Sequence, residues 1–414
     1  MSEVWRPARI DRAWRGNVGM GLIERLETAS VDDLRAAILE LAARGPRNRL
    51  GIGLTDAGHW VYDRGRLVDT VQAMVHENSG LDDLAEHTLD FVRAHPVRGP
   101  EPTPSLHLGV GGGRLAYLAE HELWDGGNLS RLALSLNAMA LSGHPVAMLE
   151  EPPATWALQR ALLHTFTSPH RVRELFKERS RAQAESGWGE PFGSPEEGLA
   201  PGLVFAEVPA AARREIKQWA REHAPGTNDA VLTLALIRRA LTQVGLVQDP
   251  TIGMVVDLRR YLARADRGNV HGNFISGLQM AVPLDAGPAE LQARLTDVLD
   301  SGRPLAAFAV SLLKSMRHRY SPGVRRFAGQ PFSHVFMGSR VGGAGGHTIP
   351  WSGDVRRMAS WTNPVGQTGI TALVTQLGQG WQISLCHYEG CVDSHLLAQA
   401  GHHVSQDPLG LLMA

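Results

Sequence analysis

A histidine and a carboxylate four residues apart, followed by glycine, make the sharpest chemical signal in this 414-residue chain: Glu120-His121-Glu122-Leu123-Trp124-Asp125-Gly126. Imidazole titrates near neutrality. A histidine at a strand end, with its ring toward a cleft, can therefore take a proton from an alcohol or an amine. Asp125 can reach back within a tight loop or bond a remote arginine, and Gly126 lets the backbone turn sharply before a helix. The same residues also fit a surface-loop histidine followed by an aspartate that caps the next helix. The pattern alone does not choose between the two readings.

Competing chemistries find less support. His402-His403-Val404-Ser405-Gln406-Asp407 has a similar look, but Pro408 stands where glycine is needed. That segment ends a helix, where histidine suits the negative end of the dipole. Gly109-Val110-Gly111-Gly112-Gly113 has the glycines of a dinucleotide loop, yet a strand follows it rather than a helix. The 18 histidines include no His-Glu-x-x-His and no Cys/His cluster. No Gly-x-Ser-x-Gly elbow marks a serine hydrolase.

The elements that must position His121 can be read around it. Residues 105–110 and 114–119 alternate on either side of Gly111-Gly112-Gly113, a hairpin signal that leaves His121 just past a strand. A helix over 128–141 follows. Upstream, 30–44 and 80–94 are amphipathic helices, Ser30 or Asp32 capping the first and Pro96 ending the second. Residues 47–63 form a strand pair around Asp56-Ala57-Gly58. Helices are expected over 155–164 and 170–183. Residues 185–202 are rich in Gly, Pro and acid and have no periodicity, so they read as a linker. The organisation expected is an N-terminal lobe over 1–184, that linker, and a C-terminal lobe over 203–414. The second lobe begins with a strand over 203–208. Helices are expected over 209–223, 229–244, 288–299, 304–316 and 392–403, and strands over 252–257, 276–282, 333–337, 371–377 and 381–386. Mixing without strict alternation argues for α+β layers.

Composition narrows the classes further. Apolar residues are 43% and charged residues 20%, enough for a sizeable core. A net charge of −1 offers no basic face for nucleic acid. Two cysteines, Cys386 and Cys391, supply neither a zinc set nor a disulfide framework, which suits a reducing compartment. The N-terminus has no secretory apolar stretch, and nowhere do about 18 apolar residues run together. A soluble cytoplasmic protein is expected, with no membrane association.

The motif and several later segments resemble the chloramphenicol-acetyltransferase-like superfamily. It includes peptide-synthetase condensation domains, polyketide-associated acyltransferases and plant BAHD acyltransferases. The family signature is His-His-x-x-x-Asp-Gly; here Glu120 replaces the first histidine, while His121, Asp125 and Gly126 match. Gly226-Thr227-Asn228-Asp229, Val255-Val256-Asp257-Leu258-Arg259-Arg260-Tyr261 and Gly272-Asn273-Phe274 resemble segments of the C-terminal lobe. So do Trp381 to Tyr388 and Val392 to Val404. The likeness runs loosely from about residue 30 to the end.

The resemblance implies a two-lobed α+β fold with an active-site tunnel between the lobes. It implies an acyltransferase that joins an acyl thioester, on coenzyme A or a carrier protein, to an alcohol or amine. His121 becomes the general base. Asp125, Gly126 and Arg259 become structural at the site, Asp125 pairing with Arg259 or, second, Arg260. Glu120, Trp124, Asn273 and His387 become candidates for substrate contact; Trp124 and His387 also fit plain core packing. No metal or redox cofactor is required, no carrier domain is evident in the chain, and a monomer is expected. The family's Ser-Asn-Leu-Gly-like stretch is missing, its nearest counterpart being Phe336-Met337-Gly338-Ser339-Arg340-Val341, beside a glycine-rich loop over 342–346. These departures leave two other readings open: a module that docks a carrier or recruits an enzyme, and another base-catalysed step on a tethered substrate.

Overall fold

The computed structural model describes residues 2–7, 9–12, 14–78, 82–144, 156–184, 198–270, 273–317, 329–337, 351–352 and 356–414. The glycine-rich run 342–346, residues 338–341 and most of the expected linker lie outside the described residues.

The hairpin around the three glycines is present. Strands β7 (Leu106–Gly111) and β8 (Arg114–Glu120) pair antiparallel, Gly111 opposite Arg114. Gly111, Gly112 and Gly113 take φ of 139°, 58° and 72°, which side chains with a Cβ rarely adopt. This hairpin belongs to a five-stranded sheet ordered β13-β2-β8-β7-β5, with β2 at Val18–Glu24, β5 at Val75–Glu77 and β13 at Met358–Thr362. Only the β5–β7 pair is parallel. A four-stranded sheet, β1-β4-β3-β6, gathers Ser2–Trp5, Trp60–Asp63, Gly53–Leu54 and Thr103–Pro104.

Strand β2 was not legible from alternation because glycine interrupts it. A Cβ on Gly21 would lie 2.2 Å from the Tyr117 hydroxyl of β8, and one on Gly19 would lie 3.5 Å from Leu129. The Tyr117 hydroxyl in turn meets Ser130 Oγ at 2.6 Å, tying β8 to the helix Gly126–Ser142. The chain thus gives up β propensity at Gly21 so that the tyrosine can close on the sheet, whereas the Gly19 distance is an ordinary contact. The other helices expected nearby are Val31–Ala42, capped by Ser30, and Leu84–Ala94, capped by Asp83.

A six-stranded sheet, β11-β10-β12-β14-β15-β9, forms a second body. Its strands are Ile275–Ala281, Gln248–Asp257, Gln330–Met337, Ile370–Leu377, Gly380–Tyr388 and Pro201–Val208. The buried faces of the helices Asp229–Gln243 and Ser394–Gln406 share its core, with Leu236, Ile237, Trp381 and Leu397 fully covered.

The described residues fold as two compact units. Unit 1 comprises those of Met1–Pro153, His271–Asn273 and Met337–Asn363; unit 2 comprises the rest. The boundary differs from the division at 184 and 203. The helices Ala157–Phe166 and Pro169–Ala184 go with unit 2, where buried Glu178 pairs with Arg294 and Arg303 and the His164 ring meets the Tyr261 carbonyl. Two later stretches return to unit 1, one of them supplying β13. Among the described residues, no helix is long and apolar enough to cross a membrane.

Candidate active site

His121 stands one residue beyond β8, and unit 1 closes around its ring. Its backbone N–H donates to the Asn17 carbonyl at 2.7 Å. The Trp14 indole stacks on the imidazole, with centroids 4.5 Å apart and an interplanar angle of 21°. Nδ1 lies 3.0 Å from Asn273 Oδ1. The Asn273 amide nitrogen donates to the His121 carbonyl at 2.6 Å, and Asp11 Oδ1 and the Glu122 carbonyl lie 3.3 and 3.4 Å from it.

These contacts favour one tautomer. Every neighbour of Asn273 Nδ2 is an acceptor, so the amide oxygen is the group that faces His121. An oxygen there can only accept, so Nδ1 carries the proton and Nε2 of the neutral ring keeps its lone pair. Burial holds the His121 pKa below the ordinary histidine range, opposed by the Asp125 charge, its own carbonyl and Asn273. A ring neutral near pH 7 with Nε2 bare is equipped to accept a proton.

Glu120, the residue in place of the first histidine, turns away from that ring. It is buried, accepts from the Gly16 N–H and takes Arg98 Nη2 at 2.9 Å. The same Nη2 reaches Glu122 Oε2 at 2.8 Å. Glu120 and Glu122 thus share Arg98, whereas the His121 ring meets Trp14 and Asn273. Burial, moderated by Arg98 and reinforced by the Glu120 charge, pushes the Glu122 carboxyl up to about 7.

Asp125 caps the helix Gly126–Ser142, accepting from the Asn128 N–H at 2.8 Å and from its amide at 3.0 Å. Asp125 is thus the helix cap that the sequence also allowed. Gly126 opens the helix; a Cβ there would lie 3.9 Å from Met337 Sδ, an ordinary contact, so space alone does not demand the glycine. Trp124 is buried.

His121, Asn273, Glu120, Trp124, Asp125 and Gly126 all lie in unit 1, although Asn273 is distant in sequence. Arg259 and His387 lie in unit 2. Arg259 donates to the Val270 carbonyl at 2.9 Å and to Asp257 at 3.1 Å, and Arg260 lies over the Tyr261 ring. The His387 ring meets Ser394 Oγ at 3.0 Å and fills space that a Cβ on Gly202 would need. Gly272, beside Asn273, lies outside the described residues. The sequence reading missed Trp14, Asp11, Arg49, Arg98 and Glu122. Only Glu122, inside the motif, stood where a signal could have been read.

No family model matches the sequence, and no curated protein matches it. Solved structures do. The trichothecene 15-O-acetyltransferase of Fusarium sporotrichioides matches at TM-score 0.61 and 13% identity, covering 99% of this chain and 95% of that one. The first condensation domain of the calcium-dependent antibiotic synthetase matches at 0.62 and 18%, covering 99% and 96%. The epimerization domain from the third module of tyrocidine synthetase B matches at 0.58 and 14%, covering 100% and 98%. What is shared at such identities is the fold. The chain has the two-lobed α+β fold of the chloramphenicol-acetyltransferase-like and condensation-domain structures, as the motif at His121 led one to expect.

Proposed function

We propose that the chain transfers an acyl group from a thioester, on coenzyme A or a carrier protein, to an alcohol or an amine, with His121 as general base. The observation that supports this most is the contact of His121 Nδ1 with Asn273 Oδ1 at 3.0 Å, an acceptor that favours a proton on Nδ1 and the lone pair on Nε2. Nε2 takes the proton of the acceptor as its oxygen or nitrogen attacks the thioester carbonyl carbon. The carbonyl electrons move to oxygen, and the tetrahedral intermediate collapses by breaking the C–S bond. The departing thiolate recovers the proton from the imidazolium. Asp125 holds the loop by its cap. Its charge also favours the imidazolium formed midway. Trp124 and His387 act through packing in this reading.

The test is acyl transfer by wild type and His121→Ala, offered a panel of acyl thioesters with mixed amines and alcohols, and followed by mass spectrometry. The expected result is a product whose rate falls about 10²–10⁴-fold in the variant, with circular dichroism unchanged. An equal rate in both proteins would overturn the assignment of the base.

A second reading has its own observation. An epimerization domain shares this fold, so the same bare Nε2 could serve proton abstraction from a tethered substrate instead. Proton exchange into solvent without acyl transfer, lost in His121→Ala, would select it. Carrier binding with neither activity would select a recruiting module.

A further inference from the structure

Asp11 is a buried carboxylate that the proposed reaction does not touch, yet one side chain connects it to the reactive ring. Its Oδ1 faces Asn273 Nδ2 at 3.3 Å, and its Oδ2 takes Arg49 Nη2 at 3.0 Å. Only 2% of Asp11 is exposed, and burial holds its carboxyl above the ordinary range against the opposing Arg49 charge. Arg49 occupies φ 62°, a conformation uncommon for a residue with a Cβ and one that the surrounding structure must maintain. From there its guanidinium also donates to the Leu123 carbonyl, inside the loop that carries His121, and lies over the Trp60 ring.

We infer that Asp11, anchored by Arg49, is the positioning carboxylate of this site: it orients the Asn273 amide, and that amide decides which nitrogen of His121 bears the proton. The amide has two orientations. With Nδ2 toward Asp11, its oxygen is left for His121 Nδ1–H. In the other orientation its oxygen would oppose the Asp11 carboxylate and its N–H would face Nδ1. That ring would carry its proton on Nε2 and could not accept one there. A neutral amide stands between carboxylate and imidazole, so Asp11 selects the tautomer without forming an ion pair with the ring. A direct partner of the ring does more than this, because it also stabilises the imidazolium.

This assignment rests on His121 being the base, but its test does not require turnover. The full chain carries ¹⁵N-histidine, and long-range ¹H–¹⁵N spectra report the protonation of each His121 ring nitrogen, assigned by the signals missing in His121→Ala. Wild type is expected to show Nδ1 protonated and Nε2 bare. Asp11→Asn keeps the shape but can present either oxygen or N–H to Asn273. Its His121 signals are expected to move toward the Nε2-protonated form, with kcat lower by ~10–100-fold and KM little changed. If Asp11→Asn does not fold, Arg49→Gln is read for the same shift in smaller degree. An unchanged His121 tautomer in a folded Asp11→Asn, or in a folded Arg49→Gln, overturns the positioning role whatever the activity. A shifted tautomer in a chain that transfers no acyl group keeps the positioning role and removes the transferase reading.

Discussion

A cluster of carboxylates and arginines is buried in each unit, around Arg98 in unit 1 and around Glu178 in unit 2, and these two are balanced in opposite ways. In unit 2 a single carboxylate, Glu178, meets two guanidinium groups. Arg294 grips both of its oxygens at 2.8 Å, and Arg303 adds a third bond at 2.8 Å. In unit 1 two carboxylates, Glu120 and Glu122, share one nitrogen of Arg98 at 2.9 and 2.8 Å, with Arg15 Nε 3.8 Å from Glu122. Glu122 Oε1 is buried with no hydrogen-bond partner. The first cluster is a fastener with both carboxylate oxygens engaged. The second leaves an acid titrating near neutrality two residues beyond Glu120 and next to His121. A buried acid left short of partners raises its own pKa rather than stabilising the fold.

The largest effect that tests this contrast is in unit 2. Glu178→Ala leaves Arg294 buried with its carboxylate partner gone, and should cost about 3–5 kcal/mol by urea denaturation. A loss under about 1 kcal/mol would mean that the fastener contributes little and the contrast is false.

Glu122→Gln should do the reverse. The folded pKa of about 7 stands above the ordinary value of 4.5, so the folded state binds more protons than the unfolded state between those values. Stability therefore falls as pH rises through that window and is lowest above it. Replacing Glu122 by Gln removes that cost, giving no gain at pH 4.5 and a gain on the order of 1–3 kcal/mol at pH 8. The difference between variant and wild type is the quantity to plot, because a histidine cluster works oppositely. His76 and His107, lowered to about 3 and 4 mainly by burial, contribute stability above their ordinary value of 6.5 that is lost as pH falls below it. A pH-independent difference would show that Glu122 is already satisfied.

The smallest effect calibrates the loop itself. Asp125→Ala should cost about 1 kcal/mol, the worth of a helix cap, whereas Asp125→Asn should cost much less. Thermal melts of both variants check this, and a loss several times larger for Asn would assign Asp125 a charge-dependent role beyond the cap.

What the sequence disclosed follows from how local each signal is. The hairpin was readable because three consecutive glycines sit between alternating runs, and the two helices because Ser30 precedes one apolar stripe and Pro96 follows the other. Strand β2 was invisible because Gly21 answers to Tyr117, a residue roughly a hundred positions away. The same limit applies to the site. His121, Asp125 and Gly126 lie within six residues of one another, but the groups that set the ring's state come from elsewhere: Trp14 and Asp11 from the N-terminal segment, and Asn273 from far downstream. Asn273 was singled out through the Gly-Asn-Phe likeness, as a substrate contact. Its amide is instead occupied by His121, Asp11 and the Glu122 carbonyl.

Strand β13 carries a consequence for how the chain is made. Ile23 pairs with Met358, a partner 335 residues later. At ~5–20 residues per second, the ribosome delivers that partner roughly 17–70 s after β2 has been synthesised. Through that interval the outer edge of β2 offers unpaired N–H and C=O groups, a template for pairing with another nascent chain. Asn273 also arrives late, so the ring of His121 can acquire its fixed tautomer only after nearly two thirds of the chain has been translated. Synthesis rate, and whatever shields that edge meanwhile, should therefore govern the yield of native protein more than equilibrium stability does.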